Sequence, residues 1–300
     1  MKQGVRVRRS LGDRIVDVII YIVLGLIALS TVLPFLYVVA GSFATDKELT
    51  EKAFFIIPEV WSLNAYKYAI NTANILRGLR NSIILTIAGT VMCMLFSLSF
   101  AYPLSKVHFR GRNWIMNMVI VTMLFSGGMI PNYLVFTAYG LYDSYWALIL
   151  PGLISPFNMI IIKKFFADLP QELEDAAYVD GAGDLKIFAR IALPLSKALI
   201  AVLTLMFAVG HWNSYFGALM YLRTQSKFPL QLVLRQILVM NSFDLSKMTA
   251  GMVENMIERQ YLANLLKYSV IIVSSAPVML MYPFIQKHFV KGIMIGSLKG

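Results

Sequence analysis

Residues Asn81 to Ser105 read NSIILTIAGTVMCMLFSLSFAYPLS, a run without one Asp, Glu, Lys or Arg that closes on Lys106. A helix rises about 1.5 Å per residue, so about 20 apolar residues cross a hydrocarbon core of ~30 Å. This stretch meets that length with room to tilt. Five further charge-free runs meet it within a residue: Val18–Thr45, Asn113–Tyr142, Ser144–Ile162, Ala198–Leu222 and Tyr268–Gln286. Pro34, Pro103, Pro131 and Pro277 fall inside them. Such prolines break soluble helices, but membrane helices tolerate them because neighbours satisfy the freed carbonyls. The third and fourth runs are parted only by Gly140–Ser144, a tight turn at one membrane face.

Composition agrees. The chain is 58% hydrophobic and 14% charged, against about 25% charged in an ordinary soluble domain. So apolar a chain cannot cover a water-facing surface, and lipid is the solvent for much of it. The net charge of +11 sits at the ends of apolar runs, where basic residues set orientation and meet anionic headgroups. No basic helix or aromatic reading motif accompanies it, which excludes nucleic acid as a partner. Met1 to Arg14 resembles a signal peptide's basic region. The apolar run that follows is too long for one and lacks a small-residue cleavage site, so a retained first span is expected.

Sixteen of the 27 Lys and Arg fall in Met1–Asp17, Lys106–Arg112, Lys163–Lys197 and Lys287–Gly300. Those segments are cytoplasmic if both termini are, the orientation that basic residues favour. The expected organisation is a cytoplasmic segment 1–17, a six-span domain 18–290 and a cytoplasmic tail 291–300. No span holds an acidic or basic residue at its middle, which argues against a carrier coupled through protonation. The lone Cys93 excludes an intrachain disulfide. No His, Cys or carboxylate spacing suggests a metal, and no Gly-x-x-x-x-Gly-Lys-Ser/Thr loop is present to cradle ATP. The chain is expected to bind no cofactor.

The loop between the fourth and fifth runs reads KKFFADLPQELEDAAYVDGAGDLKIFARIALPLSK, Lys163 to Lys197. Pro170 suits a first helical turn, and Glu172, Glu174 and Asp175 then lie near a helix N-terminus, where the dipole favours them. Asp180-Gly181-Ala182-Gly183 breaks the helix. A second amphipathic piece follows, with Leu185, Ile187, Phe188 and Ile191 apolar. Two short helices around a glycine turn make a compact knob, whose alanines let another protein approach closely. Composition alone fits an ordinary interfacial loop as well.

Within the loop, Asp175-Ala176-Ala177, Gly181, Ile191 and Leu193-Pro194 reproduce the spacing Glu-Ala-Ala, three residues, Gly, nine residues, Ile, one residue, Leu-Pro. The stretch thereby resembles the signature of binding-protein-dependent ABC permeases, with Asp175 in place of glutamate. Asn81-Ser82, Gly140-Leu141-Tyr142-Asp143, Trp212-Asn213 and the glycine-bearing tail Lys291–Gly300 resemble the carbohydrate branch, the MalG type and its LplC/YtcP-like relatives. The resemblance implies an all-α type I importer fold with six transmembrane helices in a prokaryotic cell membrane. It also implies a homologous permease partner, two ATP-binding cassette subunits that hold ATP and Mg, and a substrate-binding protein that delivers an oligosaccharide. In that family the seven loop residues couple the spans to the ATPase and the tail reaches into the ATPase dimer. His211, Trp212 and Asn213 are candidate substrate contacts, since sugars stack on indoles and bond to amides; helix packing is the competing role. The outer segment Arg223–Lys267 contains Phe228–Leu234 and Gln236–Phe243, too short to span and suited to meet a binding protein or the lipid interface. An ABC permease for an amino acid or peptide, an intramembrane enzyme acting on lipid and a scaffold without a solute are the alternatives.

Overall fold

The structure is a computed structural model that describes residues 11–240, 266–281 and 283; the expected tail 291–300 lies outside the described residues. In chain order the helices are α1 (Leu11–Phe43), α2 (Asp46–Glu51), α3 (Asn64–Asn71), α4 (Ala73–Ser105), α5 (Arg112–Leu124), α6 (Met129–Ala138) and α7 (Trp146–Ile149). They continue with α8 (Pro156–Ala167), α9 (Gln171–Val179), α10 (Asp184–Ile187), α11 (Leu193–Leu195), α12 (Lys197–Trp212), α13 (Phe216–Tyr221) and α14 (Leu230–Met240), and end with α15 (Leu266–Met281). No strand occurs among the described residues.

By length and composition two helices, α1 and α4, can each cross a membrane unaided. Counting each bent pair as one span raises the number to five, and α15 covers only part of the sixth run. The count of six expected from hydropathy is therefore not reached among the described residues. The third run is not one rod: α5 and α6 meet at 118° across Phe125–Gly128. The fourth run bends by 47° between Trp146–Gly152 and Pro156–Ala167. The fifth is helical only to Trp212 and resumes as α13. Leu230–Leu234 and the described part of Gln236–Phe243 belong to one helix, α14, which Phe228 and Pro229 precede.

The chain divides into two compact units, residues 1–69 with 240–272, and residues 70–239 with 273–300. In the first, α1 is exposed along its apolar length from Ile15 to Val32. Its hydroxyls are satisfied within the helix: Ser30 donates to the Ile27 carbonyl and Thr31 to those of Ile27 and Ala28. That arrangement suits a lipid-facing helix, where no water is available to unpaired groups. Ala40 in its last turns and Ala44 just beyond its end are buried against Phe55. The Tyr268 ring lies so close to Gly41 that a Cβ there would meet it at 3.0 Å.

The second unit is built on α4, with α8 and α12 packed against it. The buried stripe of α4 includes Gly78, Ser82, Gly89, Cys93, Ser97 and Ala101, while Ile83, Ile87, Val91 and Leu95 are exposed. Small and weakly polar groups inside, with large apolar groups outside, is the pattern of helices that associate in lipid by close packing. The polar groups have specific work. Pro156 has no N–H to give the Gly152 carbonyl four residues back, and the Cys93 thiol donates to that carbonyl at 3.1 Å. Ser97 Oγ donates to Leu153 O at 3.2 Å. The bend in the fourth run is thus stitched to α4 where its own ladder fails.

Candidate functional site

The loop 163–197 forms two helical arms about a glycine turn. In α9 no residue is fully buried. Asp175, Ala176 and Gly181 are exposed and Ala177 half-buried. Val179 is 89% exposed and Leu185 81%. Pro170 sits at the cap, one residue ahead of the helix rather than within its first turn. The helix ends because Gly181 takes φ +74°. Its N–H donates to Tyr178 O at 3.0 Å and that of Ala182 to Ala177 O at 2.9 Å, the pairing of a Schellman cap. Tyr178 Oη donates to Asp184 Oδ1 across the turn. That bond, with some burial, pushes the Tyr178 phenol up to about 12.

The second arm is anchored. Ile187 and Ala192 are fully buried, and Phe188 packs on Tyr102 of α4 (4.8 Å between centroids) and Phe166 of α8 (6.1 Å). Residues Phe188–Ala192 form a π-helical turn just ahead of Pro194, where the proline cannot donate to the carbonyl four residues back. Asp184–Leu195 then meets α12 at 82°. The corner is Ser196, fully buried, with its hydroxyl on Ala192 O at 2.7 Å. Of the motif residues here, Ile191 and Leu193 are half-buried and Pro194 exposed. Seven residues that sequence spacing groups together thus separate into an open face (Asp175, Ala176, Gly181) and an elbow (Ile191, Leu193, Pro194), with Ala177 between. A cavity of about 610 Å³ opens beside α9, lined by Tyr102, Lys106, His108, Phe109, Glu174 and Asp175 among others.

The His211 trio is divided as well. Trp212 is buried, and its indole N–H donates to Ser274 O at 2.7 Å. His211 lies against Gly89, where a Cβ would meet Nε2 at 2.6 Å, and Nε2 is 3.4 Å from Cys93 Sγ. Asn213 alone is exposed. Among the described residues no group of His, Cys, Asp and Glu could hold a metal ion.

At the other end of α4 and α12, two polar clamps organise the loop before α14. Asn81 Nδ2 donates to Ser226 O (2.8 Å) and Phe228 O (3.0 Å), and Ser82 Oγ accepts the Leu230 N–H at 2.8 Å. Asp143 accepts from the N–H groups of Arg223 (2.9 Å) and Thr224 (3.0 Å), from Thr224 Oγ1 (2.6 Å) and from Lys227 Nζ (2.9 Å). These bonds, those of Thr224 first and Lys227 next, hold its carboxyl well below the usual carboxylate range. Asp143 adopts φ +55° beside Gly140 at +69°. Sequence reading marks both stretches by resemblance and misses their work. The signal available was an Asp one residue from a span, in a turn that demands left-handed backbone.

Comparison with known proteins then places the chain. Residues 93–295 match the family model described as binding-protein-dependent transport system inner membrane component. Protein LplC of Bacillus subtilis (strain 168) is 48% identical, over 96% of this chain and 96% of its own length. YtcP of the same organism, named a polygalacturonan/rhamnogalacturonan transport system permease protein, is 46% identical over 96% and 99%. A crystal structure of a bacterial ABC transporter involved in the import of the acidic polysaccharide alginate contains a chain that matches with TM-score 0.85 at 30% identity, covering 94% of this chain and 99% of that one. YtcP and the alginate importer are named for transport, and this chain, a membrane permease subunit of an ABC importer, belongs to the binding-protein-dependent transport system inner membrane component family.

Proposed function

We propose that this chain and a homologous permease subunit together form the pathway by which an oligosaccharide, delivered by a substrate-binding protein outside, crosses the cell membrane. Two ATP-binding cassette subunits hold ATP and Mg and dock on Asp175, Ala176, Ala177 and Gly181. Their closure reaches the spans through Ile191, Leu193 and Pro194. Both termini are cytoplasmic, as the distribution of Lys and Arg favours, with the tail 291–300 on the ATPase side. The carbohydrate names of YtcP and of the alginate importer support a sugar solute. Asn213 is the member of the span-five trio open to that solute, backed by His211 and Trp212.

One observation carries the reading: an arm with no fully buried residue, α9, continues into an arm anchored by the buried Ile187 and Ala192, which turns 82° into α12. An exposed lever on a packed fulcrum is what a coupling element needs. Gly181→Asp tests it. A Cβ at Gly181 has no heavy atom within 4 Å, and Asp tolerates left-handed backbone better than most residues. The variant therefore adds a carboxylate to the open face without a clash, at a backbone cost of about 1 kcal/mol for leaving glycine at φ +74°. The expected result in the assembled importer is normal membrane abundance, with ATP hydrolysis no longer linked to uptake. Normal uptake by the variant would sink the role given to this face. A panel of neutral and acidic oligosaccharides, amino acids and peptides, presented by the binding protein, decides the solute class.

A further inference from the structure

Apolar packing does not hold α9 in place, since none of its residues is fully buried. An ion pair does. Lys106 Nζ contacts both carboxylate oxygens of Glu174, 68 positions away in the chain. The Lys106 side chain is 26% exposed and that of Glu174 13%. The ammonium also lies 4.5 Å from the centre of the Tyr102 ring, a cation–π contact that strengthens as water is excluded. Lys106 is the C-terminal cap of α4 and Glu174 lies in the first turn of α9. Each charge therefore sits at the helix end whose dipole favours it. A pair so placed, partly desolvated and bound through both oxygens, is unlike the exposed pairs that contribute little.

We propose that Lys106 and Glu174 form a strut, a pair of positioning residues that ties the coupling helix α9 to the second span. The proposal rests on the reading of 163–197 as the ATPase-coupling segment and adds a second route to it. The first route is covalent, from α9 through the glycine turn and the Ser196 corner to α12. The second runs through the strut to α4, against which α12 and α8 pack. With both in place, a displacement of α9 moves α4 and α12 together. With the strut broken, α9 swings on the glycine turn and part of the displacement is lost before it reaches the spans.

The test uses the complete importer with its binding protein, reconstituted in vesicles, and reads solute taken up per ATP hydrolysed. Glu174→Gln keeps the shape and removes the charge; it is expected to lower that ratio roughly tenfold, within the range of ordinary coupling free energies. Lys106→Glu and Glu174→Lys lower it at least as far, and the double exchange recovers at least half of the wild-type ratio. A role confined to folding would show as lost membrane abundance, not as a changed ratio at equal abundance. Wild-type coupling in Glu174→Gln, or a double exchange no better than its parents, would overturn the strut. Cysteine at the exposed Val179, cross-linked to the ATPase subunit, separates the two levels. If that cross-link is absent in the otherwise wild-type chain, the coupling reading fails; if it forms while the strut variants stay coupled, only the strut fails.

Discussion

Asp143 offers the sharpest test of how the loop before α14 is held. Its carboxylate accepts two backbone N–H groups and a hydroxyl and meets Lys227, while its own backbone stands at φ +55°. Asp143→Ala removes all four interactions and leaves a Cβ residue in left-handed backbone. At about 1 kcal/mol for each bond of this half-exposed kind, less about 1 kcal/mol of solvation regained, the loop loses about 3 kcal/mol. Asp143→Asn keeps an oxygen for the two N–H groups and tolerates the backbone, so it loses about 1 kcal/mol. Asp143→Gly loses the bonds but not the backbone fit, and falls between. Trypsin reads the difference in the purified importer, because cleavage after Arg223 or Lys227 requires local opening and follows the open population. Cleavage should accelerate roughly 150-fold for Ala and about fivefold for Asn. Equal rates for Ala and Asn would refute the clamp. The depressed carboxyl fixes the pH sign: its contribution is present above the unfolded pKa of about 4 and is lost only as pH falls through the lower folded value. Hydrogen exchange at the Arg223 and Thr224 amides should therefore stay slow at pH 4.

Two further outcomes follow from the packing. Gly89→Ala drives a methyl into the His211 ring, which Cys93 backs at 3.4 Å; it should destabilise the chain by about 1–3 kcal/mol, but by less than ~0.5 kcal/mol in a His211→Ala background, as thermal unfolding in nanodiscs would show. Equal cost in both backgrounds would remove His211 as the obstacle. Tyr178→Phe deletes the bond to Asp184 and should loosen the glycine turn by about 1 kcal/mol. Because the phenol is raised to about 12, its contribution is whole below the unfolded value of about 10 and is lost between there and 12; a wild-type minus Tyr178→Phe phenolate titration with its midpoint near 10 would contradict the bond.

Much of the architecture is legible in the chain itself. The charge-free run from Asn81 to Ser105 demands lipid, because no arrangement in water could cover it. Gly181 and Gly140 end their helices as glycine turns do, through local backbone geometry alone. The acids of α9 stand at its N-terminus for the same local reason. These are properties of one segment and its solvent, and one segment suffices to read them.

What the sequence left open concerns groups far apart. Hydropathy predicts an unbroken third span from Asn113 to Tyr142, yet the chain turns by 118° at Phe125–Gly128, because apolar character is compatible with lipid whether the helix runs straight or folds over. Nothing local to Pro156 says that Cys93 will cover the Gly152 carbonyl, or that Trp212 will spend its indole N–H on Ser274 rather than on a solute. Lys106 meets Glu174, and Asp143 meets Thr224, only once the helices between them are packed. In lipid every face of a helix is apolar enough to be exposed, so periodicity does not single out the packed one. Sequence decided that the chain enters the membrane. Tertiary packing decided where its spans break and which distant donors and charges complete them, because a polar group at membrane depth must find its partner inside the protein.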